Sequence, residues 1–143
     1  MKAGRPVLVV PPRRTSLALD RVLVAWKDAA ESRKAISAAL PLLRKATVLT
    51  IIEIVSEEGE RGAATARVAD VVTWLFRHNV QASARVELSA GDAGSQLDAI
   101  ASEARIDVIV AGAYGHTRLQ EWIFGGVTRH LLQQNSACVF LVH

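Results

Sequence analysis

From residue 21 to residue 142 the chain alternates two kinds of segment, and this alternation narrows its possible folds more than any other feature. Short runs rich in Val, Ile and Leu occupy residues 21–26, 46–55, 80–88, 106–111 and 138–142. Their length and β-branched content mark them as strands. The longer stretches between them carry apolar residues three and four apart, the period of a helix with one buried face. Ile36, Ala39, Leu40 and Leu43 form such a stripe after Asp28, which is placed to cap the helix, while Pro41 is expected to kink or shorten it. Val68, Val71, Val72, Leu75 and Phe76 form the stripe of a helix over residues 63–78. Leu97, Ile100 and Ala101 form that of a third helix over 93–104, opened by the turn and cap Gly91-Asp92. A fourth helix is expected over 127–133.

Strand and helix in strict alternation predict an α/β fold with a doubly wound, five-stranded parallel sheet and helices on both faces. Counting strands from residue 21, the expected order is 3-2-1-4-5. Residues 6–11, apolar and bracketed by prolines, read as an extra N-terminal strand. Residues 1–20 are therefore taken as strand and linker, and 21–143 as the α/β domain. Ligands of doubly wound sheets sit at the carboxyl ends of strands where the order reverses. Here that point lies between the ends of the first and fourth of the five strands.

The fourth strand runs into Gly112-Ala113-Tyr114-Gly115-His116, and the segment continues through Arg118 to Gly125-Gly126-Val127-Thr128. Glycines after a strand let backbone approach a ligand, and amides at a helix start attract anions. Strand, glycine loop and helix start together suit a phosphate group. Tyr114 and His116 lie between the glycines, Arg118 offers a charge-assisted contact to phosphate, and Thr128 offers a hydroxyl. At the opposite side of the switch point stand Ala25, Trp26 and Lys27. Each of these residues also has a plainer reading: glycines as turn formers, His116 and Arg118 as solvated side chains, Trp122, Ile123 and Phe124 as packing residues.

Composition excludes several other classes. The net charge of +3 is scattered and aromatics make up 5% of the 143 residues, so no basic stripe with stacking rings invites nucleic acid. Cys138 stands alone, which rules out an internal disulfide or a cysteine-based metal site. The four histidines show no metal spacing, and neither a nucleophile elbow nor a Walker-type loop is present. No apolar run is long enough to span a membrane, and a cytoplasmic location is expected. Without a convincing base or metal cluster the chain reads as a non-enzyme, slow nucleotide hydrolysis being the enzymatic alternative.

These residues carry a family resemblance. Gly112, Gly115 and Gly125 fit the G-x2-G-x9-G spacing of the universal stress protein family. Val22-Leu23-Val24-Ala25, Glu31-Ser32, Gly91-Asp92 and Asp107-Val108-Ile109-Val110 match it elsewhere, over roughly residues 20–143. The resemblance implies a five-stranded parallel sheet, frequent homodimers through the last strand, and membership near a subgroup that binds ATP at this loop. It implies a nucleotide site made of Ala25, Trp26, Lys27, Gly112, Tyr114, Gly115, His116, Arg118, Gly125, Gly126, Val127 and Thr128, with Mg2+ accompanying the ATP. Two positions depart from the pattern. Lys27 stands where ATP binders usually carry an aspartate near the nucleoside, and an ammonium donates where a carboxylate accepts. Gly126 stands where Ser or Thr is usual. A weak or altered site in a regulatory stress-response domain follows, the alternative being a nucleotide-free dimerisation or interaction module with an unidentified protein partner. Family members also occur in tandem, and residues 4–11 resemble the last strand of a preceding domain. As such a remnant, the strand would pair beside the sheet edge, in its own chain or in a partner.

Overall fold

The computed structural model describes residues 5–11, 18–112 and 137–142. The elements run β1 (Pro6–Val9), β2 (Arg21–Ala25), α1 (Ala30–Leu43), β3 (Val48–Val55), a 3-10 turn (Glu58–Glu60), α2 (Arg61–Arg77), β4 (Ser83–Leu88), α3 (Ala93–Glu103), β5 (Val108–Gly112) and β6 (Cys138–Val142). All six strands join one mixed sheet in the order β1-β6-β5-β2-β3-β4. The five strands from Arg21 onward are parallel and follow the expected 3-2-1-4-5 order.

Each strand of the sheet's centre is buried on both faces, which is why its sequence is a continuous apolar run rather than an alternating one. Val22 and Val24 of β2 pack with Ala35, Ile36, Ala39 and Leu43 of α1 and with Val68 and Leu75 of α2. Leu23, one residue out of phase, faces the other way and packs with Ile52 of β3 and Leu97 and Ile100 of α3. The two helix layers that doubly wound sheets require are thus both present among the described residues. The expected helix over 127–133 lies outside them.

Helix ends explain most boundary differences. Asp92 caps α3 as expected, its carboxylate accepting from the Ser95 amide at 2.8 Å, after Gly91 at φ +90° has made the turn. Helix α2 ends when Asn79 takes a left-handed φ of 64° and Val80 N–H bonds back to the Leu75 carbonyl at 2.9 Å. Helix α3 ends identically through Arg105, φ 55°, and Ile106 N–H to Ala101 at 2.8 Å. Both are Schellman closures with a buried apolar residue just past the turn. Val80 is spent on that closure, so β4 begins at Ser83 and not at residue 80.

Three expectations are corrected. Asp28 does not cap α1: the N-cap is Ala29, without a side-chain hydrogen bond, and the Asp28 carboxylate pairs with Arg33 instead. Pro41 does not interrupt α1, which carries it in its last turn and ends at Leu43. The carbonyl that Pro41 leaves unpaired belongs to Ser37, which is exposed, so water can satisfy it. Phe76 is not buried but 67% exposed. The inward stripe of α2 is Ala64, Val68, Val71 and Leu75, and Phe76 lies a further 100° around the helix.

Strand β1 pairs antiparallel with β6, Pro6 opposite Val142 and Val9 opposite Val139. Both edges of β6 are therefore occupied within the chain, by β5 and by β1. Val7 and Leu8 remain exposed at the new edge.

Candidate functional site

The carboxyl edge of the sheet is built by the parallel pairing of β2 and β5, which sets Ala25 beside Ala111. One residue further on, Trp26 and Gly112 follow at neighbouring strand ends. The two halves of the expected site, the end of β2 and the entrance to the glycine loop, thus share one place in the fold. Gly112 marks a close approach. A Cβ there would meet the Glu31 carbonyl carbon at 2.5 Å and its oxygen at 2.6 Å, so the first turn of α1 lies directly against β5. This glycine is required by packing, whatever it does for a ligand.

The three residues at the end of β2 separate by strand alternation. Ala25 is half-buried and packs on the α3 face. Trp26 turns the other way, into the core under α1 and α2. Its backbone amide extends the ladder by one bond to Ile52, at 2.7 Å. Lys27 is exposed just beyond, and its amide donates to the buried Ser32 hydroxyl at 3.0 Å. Tyr114, Gly115, His116, Arg118, Gly125, Gly126, Val127 and Thr128 lie outside the described residues.

Beside this edge, α1 and α2 part over Trp26 to leave a cleft of about 380 Å3. Ile36 and Val71 give it apolar walls, and Trp74 of α2 adds a second indole. That ring stacks obliquely on His78, centroids 4.1 Å apart. Two ion pairs border the cleft. Arg33 reaches Asp28 across the start of α1, with both side chains exposed. Arg67 of α2 grips Glu53 of β3 with two nitrogens, Nε to Oε1 at 3.2 Å and Nη2 to Oε2. Glu53 is only 6% exposed and is the one charged residue of its strand. The hydrogen bond to Glu53 raises the Arg67 pKa above its ordinary value, outweighing the opposing effect of burial. The folded pKa lies above the unfolded one, so loss of the arginine proton does not weaken the pair until pH climbs beyond the ordinary arginine value.

The sequence reading passed over Glu53, Arg67, Asp70 and Trp74. A signal existed for the first: one carboxylate inside the run Val48–Val55 needs a cation or a helix end nearby. Which cation answered it was decided by the crossover that lays α2 over β3. Asp28, next in sequence to Lys27, is held by Arg33 and borders the α1/α2 cleft. Among the described residues no group of His, Cys, Asp and Glu is placed to hold a metal ion, and no helix is long and apolar enough to cross a membrane.

A parallel α/β sheet whose strand order reverses between β2 and β5 defines a Rossmann-like class of fold. Within that class the chain belongs to the universal stress protein family, whose model matches residues 18–143. Solved structures agree in fold. The universal stress protein UspA from Lactobacillus plantarum is 14% identical, covering 90% of this chain and 100% of the other, with a TM-score of 0.70. A universal stress protein from Archaeoglobus fulgidus in complex with dAMP is 12% identical, covering 90% and 100%, with a TM-score of 0.65. A universal stress protein in complex with cAMP is 18% identical, covering 88% and 99%, with a TM-score of 0.55. No curated protein is similar enough in sequence to match the chain.

Proposed function

We propose that this domain binds an adenine nucleotide, ATP with Mg2+, at the carboxyl edge between β2 and β5, and that it acts as a cytoplasmic regulatory unit of a stress response, not as an enzyme. The observation that carries the reading is the β2–β5 register, because it brings the strand end at Trp26-Lys27 next to Gly112, where the glycine loop begins. The dAMP and cAMP complexes of fold relatives support an adenine nucleotide as the ligand class. In this mechanism amides around Gly115, Gly125 and Gly126 hold phosphates, and Thr128 adds a hydroxyl. Mg2+ arrives on the phosphates, since it keeps several waters and needs few protein ligands. Lys27, exposed beyond β2, meets the nucleotide as a cation, which favours phosphate over ribose and makes binding weak or altered in selectivity.

Self-association in this reading uses the outer edge of β1, because β6 is already flanked on both sides. Nucleotide binding biases that assembly or a protein partner's surface. Calorimetric titration with ATP and Mg2+, after assaying the purified protein for carried nucleotide, tests the reading. Saturable binding lost in Gly125→Val supports it. Absence of both binding and carried nucleotide overturns it in favour of a nucleotide-free interaction module.

A further inference from the structure

The two edges of the sheet are not alike. At β4, Ser89 N–H bonds to the Val55 carbonyl of β3, so by alternation the main-chain groups of Ala84, Val86 and Leu88 face outward. Side chains occupy this edge. Arg61 Nη1 donates to the Val86 carbonyl at 2.9 Å. Gln96 Nε2 donates to the Leu88 carbonyl, and its Oε1 accepts from the Ala90 amide, both at 2.9 Å. The Gln96 amide thus takes the place of a peptide group in a neighbouring strand. At the other edge, Cys138 N–H bonds to the Asp107 carbonyl beside β5, which turns the main-chain groups of Val139 and Leu141 toward β1. Their partners Val9 and Val7 face β6 in return, so Pro6, Leu8 and, just past the strand, Val10 face outward. Pro6 stands where its missing N–H leaves no gap in the β1–β6 ladder. Leu8 is 40% exposed and Val10 47%, and among the described residues no side chain hydrogen-bonds to this edge.

We propose that the outer edge of β1 pairs antiparallel with the same edge of a second copy, about a two-fold axis at Leu8, and that assembly stops at two chains because β4 is closed. This pairing rests on the self-association through β1 proposed above, and adds its register and its limit. In that register the edge is complementary to itself. Leu8 N–H of each copy donates to the Leu8 carbonyl of the other, and Val10 N–H of each donates to the Pro6 carbonyl of the other. The donor that proline lacks then falls in the outer pairs, whereas an axis at Pro6 would leave the central pair with no donor at all. The two Leu8 side chains lie side by side on one face, and each covers apolar surface that is exposed in the single chain. A chain with one open edge makes a same-to-same contact, which closes at a dimer. Two open edges would propagate a fibre. Arg61 and Gln96 are in this way the residues that set the number of chains.

The test is sedimentation velocity of the full chain, without nucleotide, over a range of concentrations. A monomer–dimer equilibrium with no larger species is expected. Leu8→Pro removes both donors on the axis and spares the β1–β6 ladder, because the Leu8 amide faces away from β6. It is expected to weaken the dimer about thirty-fold, the loss of two hydrogen bonds. Leu8→Lys and Leu8→Glu keep the backbone donors and answer the case in which proline disturbs β1 itself. Each alone is expected to weaken the dimer by setting like charges opposite one another, an effect that salt relieves, and an equimolar mixture of the two is expected to regain it. The double variant Arg61→Ala, Gln96→Ala is expected to grow beyond the dimer. A dimer indifferent to all three Leu8 changes overturns the pairing and leaves self-association to another surface. A chain that stays monomeric overturns the pairing and self-association together, while titration of that monomer with ATP still decides the nucleotide reading. A double variant that stops at two chains overturns the closing role of Arg61 and Gln96.

Discussion

Gly112 at the end of β5 and Glu31 in the first turn of α1 approach so closely that a methyl group on Gly112 would stand 2.5 Å from the Glu31 carbonyl carbon. The obstacle is backbone, which cannot swing aside as a flexible side chain can. Gly112→Ala is therefore expected to destabilise the fold by about 1–3 kcal/mol, the usual cost of overpacking. Urea unfolding checks it. A neutral result would mean that α1 can slide away from β5 at no cost.

Arg67 stands over Glu53, and removing it leaves a carboxylate nearly sealed from water without its cation. Stranding a fully buried charge costs roughly 3–5 kcal/mol, but the Arg67 side chain is 35% exposed and water can enter in its place. Arg67→Ala is expected to cost about 2 kcal/mol in equilibrium unfolding. The double variant Arg67→Met, Glu53→Leu should recover most of that loss, since an apolar pair restores the packing without a stranded charge. A double variant as unstable as Arg67→Ala would show that the deficit is one of shape.

Arg105 holds a left-handed conformation to close α3, a place where glycine is free of the Cβ clash. Its side chain is exposed. Arg105→Gly is accordingly expected to raise stability by roughly 1 kcal/mol, visible as a higher Tm. Asn79 performs the same closure on α2, and asparagine tolerates it better. The corresponding gain from Asn79→Gly is expected to be smaller, and a larger one would contradict the assignment of strain.

Strand β1 covers the outer edge of β6. Deleting residues 1–12 is expected to change the assembly state or lower solubility, because it removes the outer edge of β1 and bares the edge of β6. Sedimentation velocity of the shortened chain against the full chain decides the matter. An unchanged assembly state would show that β1 is dispensable to the edge.

Local pattern was enough for the framework. Apolar runs and three-four periodicity announced the elements, their alternation announced the parallel sheet, and right-handed crossovers narrowed its strand order to the one observed. Gly91-Asp92 could be read as turn and cap because both act within a few residues of themselves. What the sequence could not decide was long-range. Phe76 has the spacing of a core residue, yet its exposure depends on how far α2 rolls over β3 and β4. Asp28 has the place of a cap, yet Arg33 takes it. Gly112 reads as a ligand glycine, and only the arrival of α1 shows that packing also demands it. The cleft is the extreme case. Its residues come from the connection after β2, from α1 and from α2, as far apart as Trp26 and Trp74, and no local spacing joins them. Backbone propensity and burial period act over one or two turns, whereas a cavity and a buried ion pair exist only where separate elements meet.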